Sequence, residues 1–379
     1  MKYIWILFLF SLSLASGQSK IDIDMTAQMS GSIQLADGST TKIWVFRVNG
    51  SSATLPNTTI EVHVDDTVNL NVFNASQMKH TIHLHGLDVD QANDGVESTS
   101  QAINSFNSFT YTFIPKHAGM FFYHCHIEST IHVQLGMYGA LIVKPIAEQT
   151  AWTDGPVFDK EYNWLLSDLD KSWHDSPPLN GNIPLFEPDH FLINGKSTLN
   201  LNNDTTTVIQ GTTNQDIYLR IGNMGYGVNK ITFPTDLFCE VVQSDGRPLP
   251  SPFHTNEINL YPGERYEIMI SANTPVNDSI TIAYEDMQGN VQGENRVPVV
   301  IDLPVANKIN HPLENSVYPN PAKDKLYLPE LTNQRIEVFD ILGNVFDLTL
   351  KDNQLDISPL VPGIYFIHAN NKTWRILKN

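Results

Sequence analysis

Histidines are concentrated in one short part of this chain of 379 residues. Seven of the thirteen lie between His80 and His132, mostly in the segments HTIHLHG and HCHIESTIHVQLGM. The second segment also supplies a thiolate, an imidazole and a thioether from Cys125, His132 and Met137, and His80 of the first segment adds another imidazole. Two histidines and a cysteine with a weak axial methionine are the ligands of a blue copper centre. The pattern therefore predicts that these two segments meet in the folded chain.

The spacing of the other histidines predicts a second metal site beside the first. In a β-strand, residues two apart point to the same face. His83 and His85 are therefore expected to face one way together, and so are His124 and His126, while Cys125 faces the opposite way. One short strand would then offer a thiolate to one copper ion and two imidazoles to a metal cluster, with a covalent path for electrons between them. A protein that only carried electrons would not need the flanking histidines.

Short strands joined by turns dominate the rest of the chain. TTIEVHVDDTVNLNVFN alternates apolar and polar residues, which is typical of half-buried strands. No long amphipathic helix is predicted. The pattern favours an all-β chain with two tandem Greek-key sandwiches over residues 18–146 and 147–305. A linker over 306–315 and a small β-sandwich over 316–379 are expected to follow.

The first seventeen residues are predicted to form a signal peptide. Lys2 supplies a positive start, an apolar run follows to Ala15, and small residues precede a cleavage site before Gln18. The mature protein is thus expected to be exported. Its net charge of −18 argues against nucleic acid as a partner, because a basic surface would be needed there.

Two cysteines, Cys125 and Cys239, are present, and an exported protein could pair them. Since Cys125 is needed as a thiolate, we favour a buried, inert thiol for Cys239, which lies in the apolar stretch TDLFCEVV.

These motifs resemble the multicopper oxidase, or laccase, family. HLHGLDVDQANDGV is similar to the HWHG segment of that family's first domain, and HAGMFFYHCH with GMYGALIV is similar to its closing strands. FLINGK and SDGRPL followed by YPGERYEIMI resemble its second domain. The likeness covers roughly residues 40–305. It implies cupredoxin-like sandwiches and a copper enzyme that takes single electrons from a reducing substrate (a phenol, an aromatic amine or cuprous ion) and reduces dioxygen to water.

The resemblance also implies a role for each candidate residue. His80, Cys125 and His132 would bind type 1 copper, with Met137 axial. His83 matches the type 2 ligand, and three further histidines match type 3 ligands: His85, His124 and His126. Asp94 stands where the family has a carboxylate that orients water and supplies protons, although a plain turn residue is the alternative. His117, by contrast, is expected to be structural or to support the site.

The chain departs from the family pattern in three places. His132 lies seven positions after Cys125, where the spacing in laccases is usually five, and the type 1 ligands lie in the first domain instead of the last. The second domain also lacks HxH motifs, and its histidines are isolated. A trinuclear cluster in this family uses eight histidines, so the four in this chain predict a homo-oligomer in which a second copy completes the cluster around a two-fold axis.

Two other functions stay open at this stage. A copper nitrite reductase also has type 1 copper in the first of two domains, but that class lacks a histidine at the position of His126 and has an aspartate at that of His83. A blue copper electron carrier, or a copper-binding protein whose cluster has decayed, is favoured by the second domain without ligands. Retention of all four HxH-type histidines argues against decay.

The last segment resembles the type A sorting domain of the type 9 secretion system. YPNP, VFDILGNV, PGIYFI and the terminal Lys378 carry this likeness. It implies the type 9 machinery as a partner, export through the periplasm, and a final location in the medium or at the cell surface. An accessory adhesive sandwich is the alternative.

Overall fold

The computed structural model describes residues 19–48, 50–146, 149–179, 181, 183–202, 204–304, 317–328, 331, 335–340, 343–369 and 372–379. The predicted signal peptide and the predicted linker over 306–315 lie outside these residues. The chain forms two compact units, residues 1–304 and 305–379. Among the described residues no helix has the length and apolar character needed to cross a membrane.

Eight strands form a first sandwich of two four-stranded sheets, ordered β2-β1-β4-β6 and β3-β8-β7-β5. Alternating apolar residues such as Val68, Leu70 and Val72 on β4 turn inward, and side chains of both sheets share one core. The elements in order are β1 (Lys20–Gln34), β2 (Thr40–Val48), β3 (Asn57–His63), β4 (Thr67–Asn74), β5 (His83–His85), a 3₁₀ turn (Gln91–Asn93), β6 (Ser108–Phe113), β7 (Gly119–His124), α1 (Ser129–Gln134) and β8 (Tyr138–Lys144).

Eleven strands form a second sandwich, with sheets ordered β10-β9-β12-β17-β14-β15 and β11-β19-β18-β13-β16. Its core is built from branched aliphatic side chains, and Cys239 lies buried within it. The elements are β9 (Lys160–Leu169), α2 (Lys171–Asp175), β10 (His190–Ile193), α3 (Thr198–Leu201), β11 (Ile209–Thr212), β12 (Ile217–Asn223), β13 (Val228–Thr232), β14 (Phe238–Ser244), β15 (Arg247–His254), β16 (Glu257–Leu260), β17 (Arg265–Ser271), β18 (Val276–Glu285) and β19 (Val291–Asp302).

The two sandwiches share a third apolar core, to which β7, β8 and α1 contribute from one side and β9 and β10 from the other. Met120 and Phe122, on β7, are fully buried in it. The backbone N–H of Met120 donates to Glu267 Oε1 at 2.6 Å, and the buried carboxylate of Glu267 also accepts from the Tyr218 hydroxyl. Because a buried carboxylate must be hydrogen-bonded to be tolerated, this contact fixes β7, the strand that leads to Cys125, against the second sandwich.

The C-terminal unit has six strands in the order β20-β23-β22-β21-β24-β25 around a core of its own. They are β20 (Lys325–Tyr327), β21 (Arg335–Asp340), β22 (Val345–Lys351), β23 (Gln354–Asp356), β24 (Gly363–Ala369) and β25 (Lys372–Lys378). The predicted all-β class is therefore confirmed. The residue limits predicted for each domain stay predictions.

Candidate metal centres

The first candidate centre brings His80, Cys125 and His132 together inside the first sandwich. The Cys125 Sγ lies 3.2 Å from His132 Nδ1 and 3.6 Å from His80 Nδ1, and all three residues are fully buried. His80 precedes β5, Cys125 directly follows β7, and His132 lies on α1. Two imidazoles that point Nδ1 at a thiol form a donor set suited to a soft metal such as copper.

Helix α1 places His132 beside Cys125. This short helix, Ser129–Gln134, begins four residues after Cys125 and brings His132 Nδ1 to the sulfur. Met137 lies three residues after the end of this helix. Its N–H donates to the His132 carbonyl and its own carbonyl accepts from the Cys125 N–H, both at 3.0 Å. Met137 is fully buried in the same apolar core as Cys125, so the structure brings all four predicted type 1 residues into one place.

Burial keeps the two imidazoles in the neutral state that a metal requires, and it keeps the thiol protonated until a metal ion displaces that proton. It lowers the pKa of His80 to about 3 and that of His132 to about 4, so both imidazoles are neutral at pH 7 and have a free lone pair. Burial raises the pKa of Cys125 to about 12, so the thiol keeps its proton unless a cation replaces it. The residues therefore fit a copper ion, which would take the place of that proton.

Ser76 orients His80. Its hydroxyl lies 2.8 Å from His80 Nε2 and also 2.8 Å from Asn74 Oδ1, and Asn74 in turn donates to the carbonyls of Met78 and Ile103. A hydrogen bond at Nε2 fixes the tautomer whose Nδ1 is free for the metal. The sequence analysis missed Ser76, because no spacing rule links it to His80.

Replacing Ser76 with alanine is expected to weaken copper binding at the first centre by about 10–100-fold. The change leaves a buried imidazole nitrogen without its partner and lets the ring turn. Competition with a copper chelator would measure the affinity, and the Ser105→Ala variant, which loses an exposed hydroxyl, is the matched control. Unchanged affinity in the Ser76 variant would show that the hydroxyl does not hold the ring.

The second candidate centre gathers four imidazoles on the opposite face of the same segment. Strands β5 and β7 pair with His83 opposite His124, and ligand nitrogens of His83, His85 and His124 lie within 4.8 Å of one another. The ring of His126 is centred 5.3 Å from that of His83. Cys125 turns inward to His80 and His132, as the predicted alternation of faces requires. The predicted strand is shorter than expected, because β7 ends at His124 and Cys125 and His126 lie just beyond it.

Hydrogen bonds select which nitrogen each imidazole offers. His83 Nδ1 lies 2.7 Å from the carbonyl oxygen of Asp94, and His124 Nδ1 lies 3.0 Å from that of Cys125, which leaves Nε2 of both rings for a metal. His85 instead presents Nδ1, 3.3 Å from His124 Nε2. Burial is the main reason that the pKa of His85 falls to about 3 and that of His124 to about 4. The rings of His85 and His124 are therefore neutral at pH 7 and can act as metal ligands.

Asp94 lies at this centre and acts on His83. Besides its carbonyl, its carboxylate Oδ1 is 3.3 Å from His83 Nδ1, and about a third of its side chain is exposed. The chain reverses next to it at Gly95, whose φ is +70° and whose missing Cβ leaves room for the Ile82 carbonyl. The position suits orientation of His83. Proton supply by Asp94 remains a prediction.

The second sandwich adds a cation to this centre instead of a ligand. Arg265 is buried and forms an ion pair with Asp245 at 2.9 Å; its guanidinium occupies the space that a Cβ on Gly86 would need. After burial, this charge is the largest cause of the lowered pKa of His85. Sequence reasoning placed Arg265 in the second-domain motif but missed its contact with the site.

The histidines of the second sandwich lie elsewhere. His174 Nδ1 lies 2.6 Å from the Lys42 carbonyl oxygen, and His254 Nε2 lies 3.5 Å from Glu240 Oε1. His117, in the first sandwich, is exposed, and its Nε2 lies 3.4 Å from Asp88 Oδ2. Within the described ranges, the second centre therefore contains four histidines, all from the first sandwich.

The metal-free chain is expected to lose stability as the pH falls below about 6.5. His80, His85, His124 and His132 have pKa values of about 3 to 4 when folded, against about 6.5 when unfolded. Between these values only the unfolded chain binds the protons, so stability is complete above pH 6.5 and declines toward pH 4. Each group contributes about 1.4 kcal/mol per pH unit at most, so Tm should fall by about 10 °C between about pH 7.5 and 5.5. If thermal melts of the metal-free protein gave the same Tm at about pH 7.5 and at about pH 5.5, the four histidines would not be buried as described.

Comparisons with known proteins agree with this geometry. A family model described as multicopper oxidase matches residues 29–148, and a second model with the same description matches residues 159–300. Together they cover more than half of the chain. The chain belongs to the multicopper oxidase family. Such oxidases use type 1, type 2 and type 3 copper, and the chain contains two groups of histidines, one of them with Cys125, that could hold metal ions.

Relatives of this multicopper oxidase include both curated proteins and solved structures. It is 27% identical to an L-ascorbate oxidase of Cucumis sativus, over 59% of this chain and 42% of the relative. It is also 27% identical to Laccase-3 of Oryza sativa subsp. japonica, over 68% of this chain and 46% of the relative. It thus spans less than half of either plant protein. A blue copper oxidase of Nitrosomonas europaea is 29% identical with a TM-score of 0.61, covering 75% of this chain and 86% of that one.

Residues 316–379 match the model of a secretion system C-terminal sorting domain. The predicted resemblance of the tail to a type 9 sorting domain is therefore confirmed.

Proposed function

We propose that this chain is a copper-dependent oxidase that takes single electrons from a small reductant and reduces dioxygen to water. Bound copper would supply the one-electron steps at the first centre and oxygen reduction at the second. The observation that carries the proposal is the position of Cys125 between His124 and His126. Its sulfur faces one candidate centre while its two neighbours in sequence face the other, so only a few covalent bonds separate them.

The protein's own residues hold both centres in a fixed geometry. Ser76 orients His80, and the carbonyls of Asp94 and Cys125 orient His83 and His124. The apolar core around Cys125 excludes water from the sulfur. We assign four residues to type 1 copper: His80, Cys125, His132 and Met137. His83 is assigned to type 2 copper and is contacted by Asp94. The type 3 ligands are His85, His124 and His126.

A nitrite reductase is a weaker alternative for these residues. The ring of His126 joins the second group, which gives this face four imidazoles where a mononuclear site needs fewer. An electron carrier would have no use for that group at all.

We further propose that a second copy of the chain completes the second centre. Four histidines are half of the set that a trinuclear cluster of this family uses. The rings of His83, His85 and His126 are partly exposed, in contrast to the fully buried rings of His80 and His132, so their outer edges are open to a partner. A two-fold axis through this face would bring eight imidazoles together, because each copy contributes the same four histidines.

Removal of residues 1–17, export through the periplasm and sorting by the type 9 system would bring the protein to the medium or to the cell surface.

Oxygen uptake by copper-loaded protein tests the proposed function. With a phenol, an aromatic amine or cuprous ion as donor, we expect one dioxygen consumed for every four electrons, without accumulation of hydrogen peroxide. Nitrite should not be reduced under anaerobic conditions. Light scattering on the same sample should give at least a dimer, and a monomer with full oxygen reduction would contradict the shared centre.

A further inference from the structure

A pocket of about 500 Å³ opens in the second sandwich, away from both histidine groups. Phe186, Phe191 and Tyr226 form its aromatic wall, and Met287 is an exposed apolar residue on its lining. The ring centres of Phe186 and Tyr226 are 4.7 Å apart, and buried Trp173 packs edge-on behind Phe186 at 5.4 Å. Such a wall offers π-faces to a flat ligand. We call it the acidic pocket, for the charges described next.

Four carboxylates line the acidic pocket, and its described lining contains no lysine or arginine. Asp168 is buried and accepts from the N–H groups of Tyr226 and Gly227, and Asp286 closes a turn by accepting from Asn290. Glu187 and Glu285 have no ion pair among the described residues. Aromatic faces and uncompensated carboxylates together attract an organic cation.

The acidic pocket is connected to the type 1 candidate by one hydrogen bond. Gln134, two residues after His132 on helix α1, donates from Nε2 to the Asp168 carbonyl at 3.1 Å. Its Oε1 accepts from the Asp170 N–H at 3.2 Å, so the amide is held at both ends. A route of covalent bonds through Gln134 and one hydrogen bond thus leads from Asp168, on the pocket lining, to His132.

We propose that the acidic pocket binds a planar organic cation, an aromatic amine in its protonated or quaternary form, and that this is where the electron donor docks. The donor role rests on the proposed function, whereas the binding does not. A bound protonated amine, ArNH₃⁺, would lose one electron to the type 1 centre and one proton to solvent, and so become the radical cation ArNH₂•⁺. Four such oxidations, with four protons, reduce one dioxygen to two water molecules.

Calorimetry with the phenyltrimethylammonium ion, which is not oxidised under these conditions, tests the binding on the full chain. We expect one site per chain, no binding of benzenesulfonate, and a Kd raised about fivefold in either E187Q or E285Q and further in the double variant. E257Q removes an exposed carboxylate outside the pocket and should bind as the unchanged protein does. Equal Kd values for the unchanged protein and the double variant, or no binding at all, would overturn the pocket.

Kinetics separate the failure of the pocket from the failure of the proposed function. In copper-loaded protein, the double variant should raise KM for N,N-dimethyl-p-phenylenediamine about tenfold and leave the oxidation of anionic ferrocyanide undiminished. If the probe binds but no donor is oxidised, the pocket stands and the oxidase proposal fails. If the amine is oxidised with unchanged KM in the double variant, the oxidase stands and the pocket is not its donor site.

Discussion

Replacing Cys125 with serine is expected to abolish the blue absorption, remove one copper ion per chain and stop the oxidation of every donor. The sulfur of Cys125 is the only thiol between two buried imidazoles, and a serine hydroxyl keeps its proton where a metal-bound thiol loses it. Since loss of a residue that merely orients a ligand costs 10–100-fold, loss of the ligand itself should lower activity by more than about 100-fold. Optical spectra, metal analysis and oxygen uptake measure the three effects.

Cys239 provides a matched control for this variant. It is equally buried, but in the apolar core of the second sandwich, so Cys239→Ala should cost some stability and leave the spectrum unchanged. A Cys125→Ser protein that keeps its blue absorption would contradict the assignment of the first centre. Loss of blue absorption in the Cys239 variant would mean that the effect reflects general damage to the fold.

Changing His85 or His126 to asparagine is expected to separate the two centres. Both rings belong to the group on the face opposite the Cys125 sulfur, so the blue absorption should remain and a donor should still bleach it. Reoxidation by dioxygen should slow by more than about 100-fold, because the second centre has lost a ligand. Anaerobic reduction followed by mixing with air in a stopped-flow instrument measures both steps.

His254→Asn is the control for these changes, because His254 lies beside Glu240 on the second sandwich. Its reoxidation should match that of the unchanged protein. If the His85 and His126 variants recolour in air at the normal rate, then the second group does not reduce oxygen, and the chain is an electron carrier.

The sequence predicted the all-β class from short-range alternation, and it predicted the grouping of all eight candidate ligands from that alternation together with a known ligand set. Alternation along a strand placed Cys125 opposite His124 and His126, and the blue copper ligand set joined His80 to His132. Helix α1 was not predicted. A helix of six residues has too little periodicity to be recognised in a sequence.

Contacts that depend on a loop conformation or on packing between distant segments could not be predicted in this way. Ser76 is only four residues from His80, but it reaches the ring because the turn after β4 folds back. Arg265 reaches the second centre only once the two sandwiches have packed together. Asp94 was predicted as a side chain, yet its shortest contact with His83 is made by its backbone carbonyl, and any residue type can offer that atom. The acidic pocket combines residues of β9, β10, β18 and β19 with the loops before β10, β13 and β19, which share no motif.

Copper per chain in the mature protein, with the fraction visible by electron paramagnetic resonance measured on the same sample, tests the central proposal most directly. A shared trinuclear centre predicts five copper ions per two chains: two of type 1 and three in one cluster. The coupled type 3 pair should be silent in the spectrum, and the other three ions should be visible. About one copper ion per chain, all of it visible as type 1, would contradict the shared centre and the oxidase proposal together.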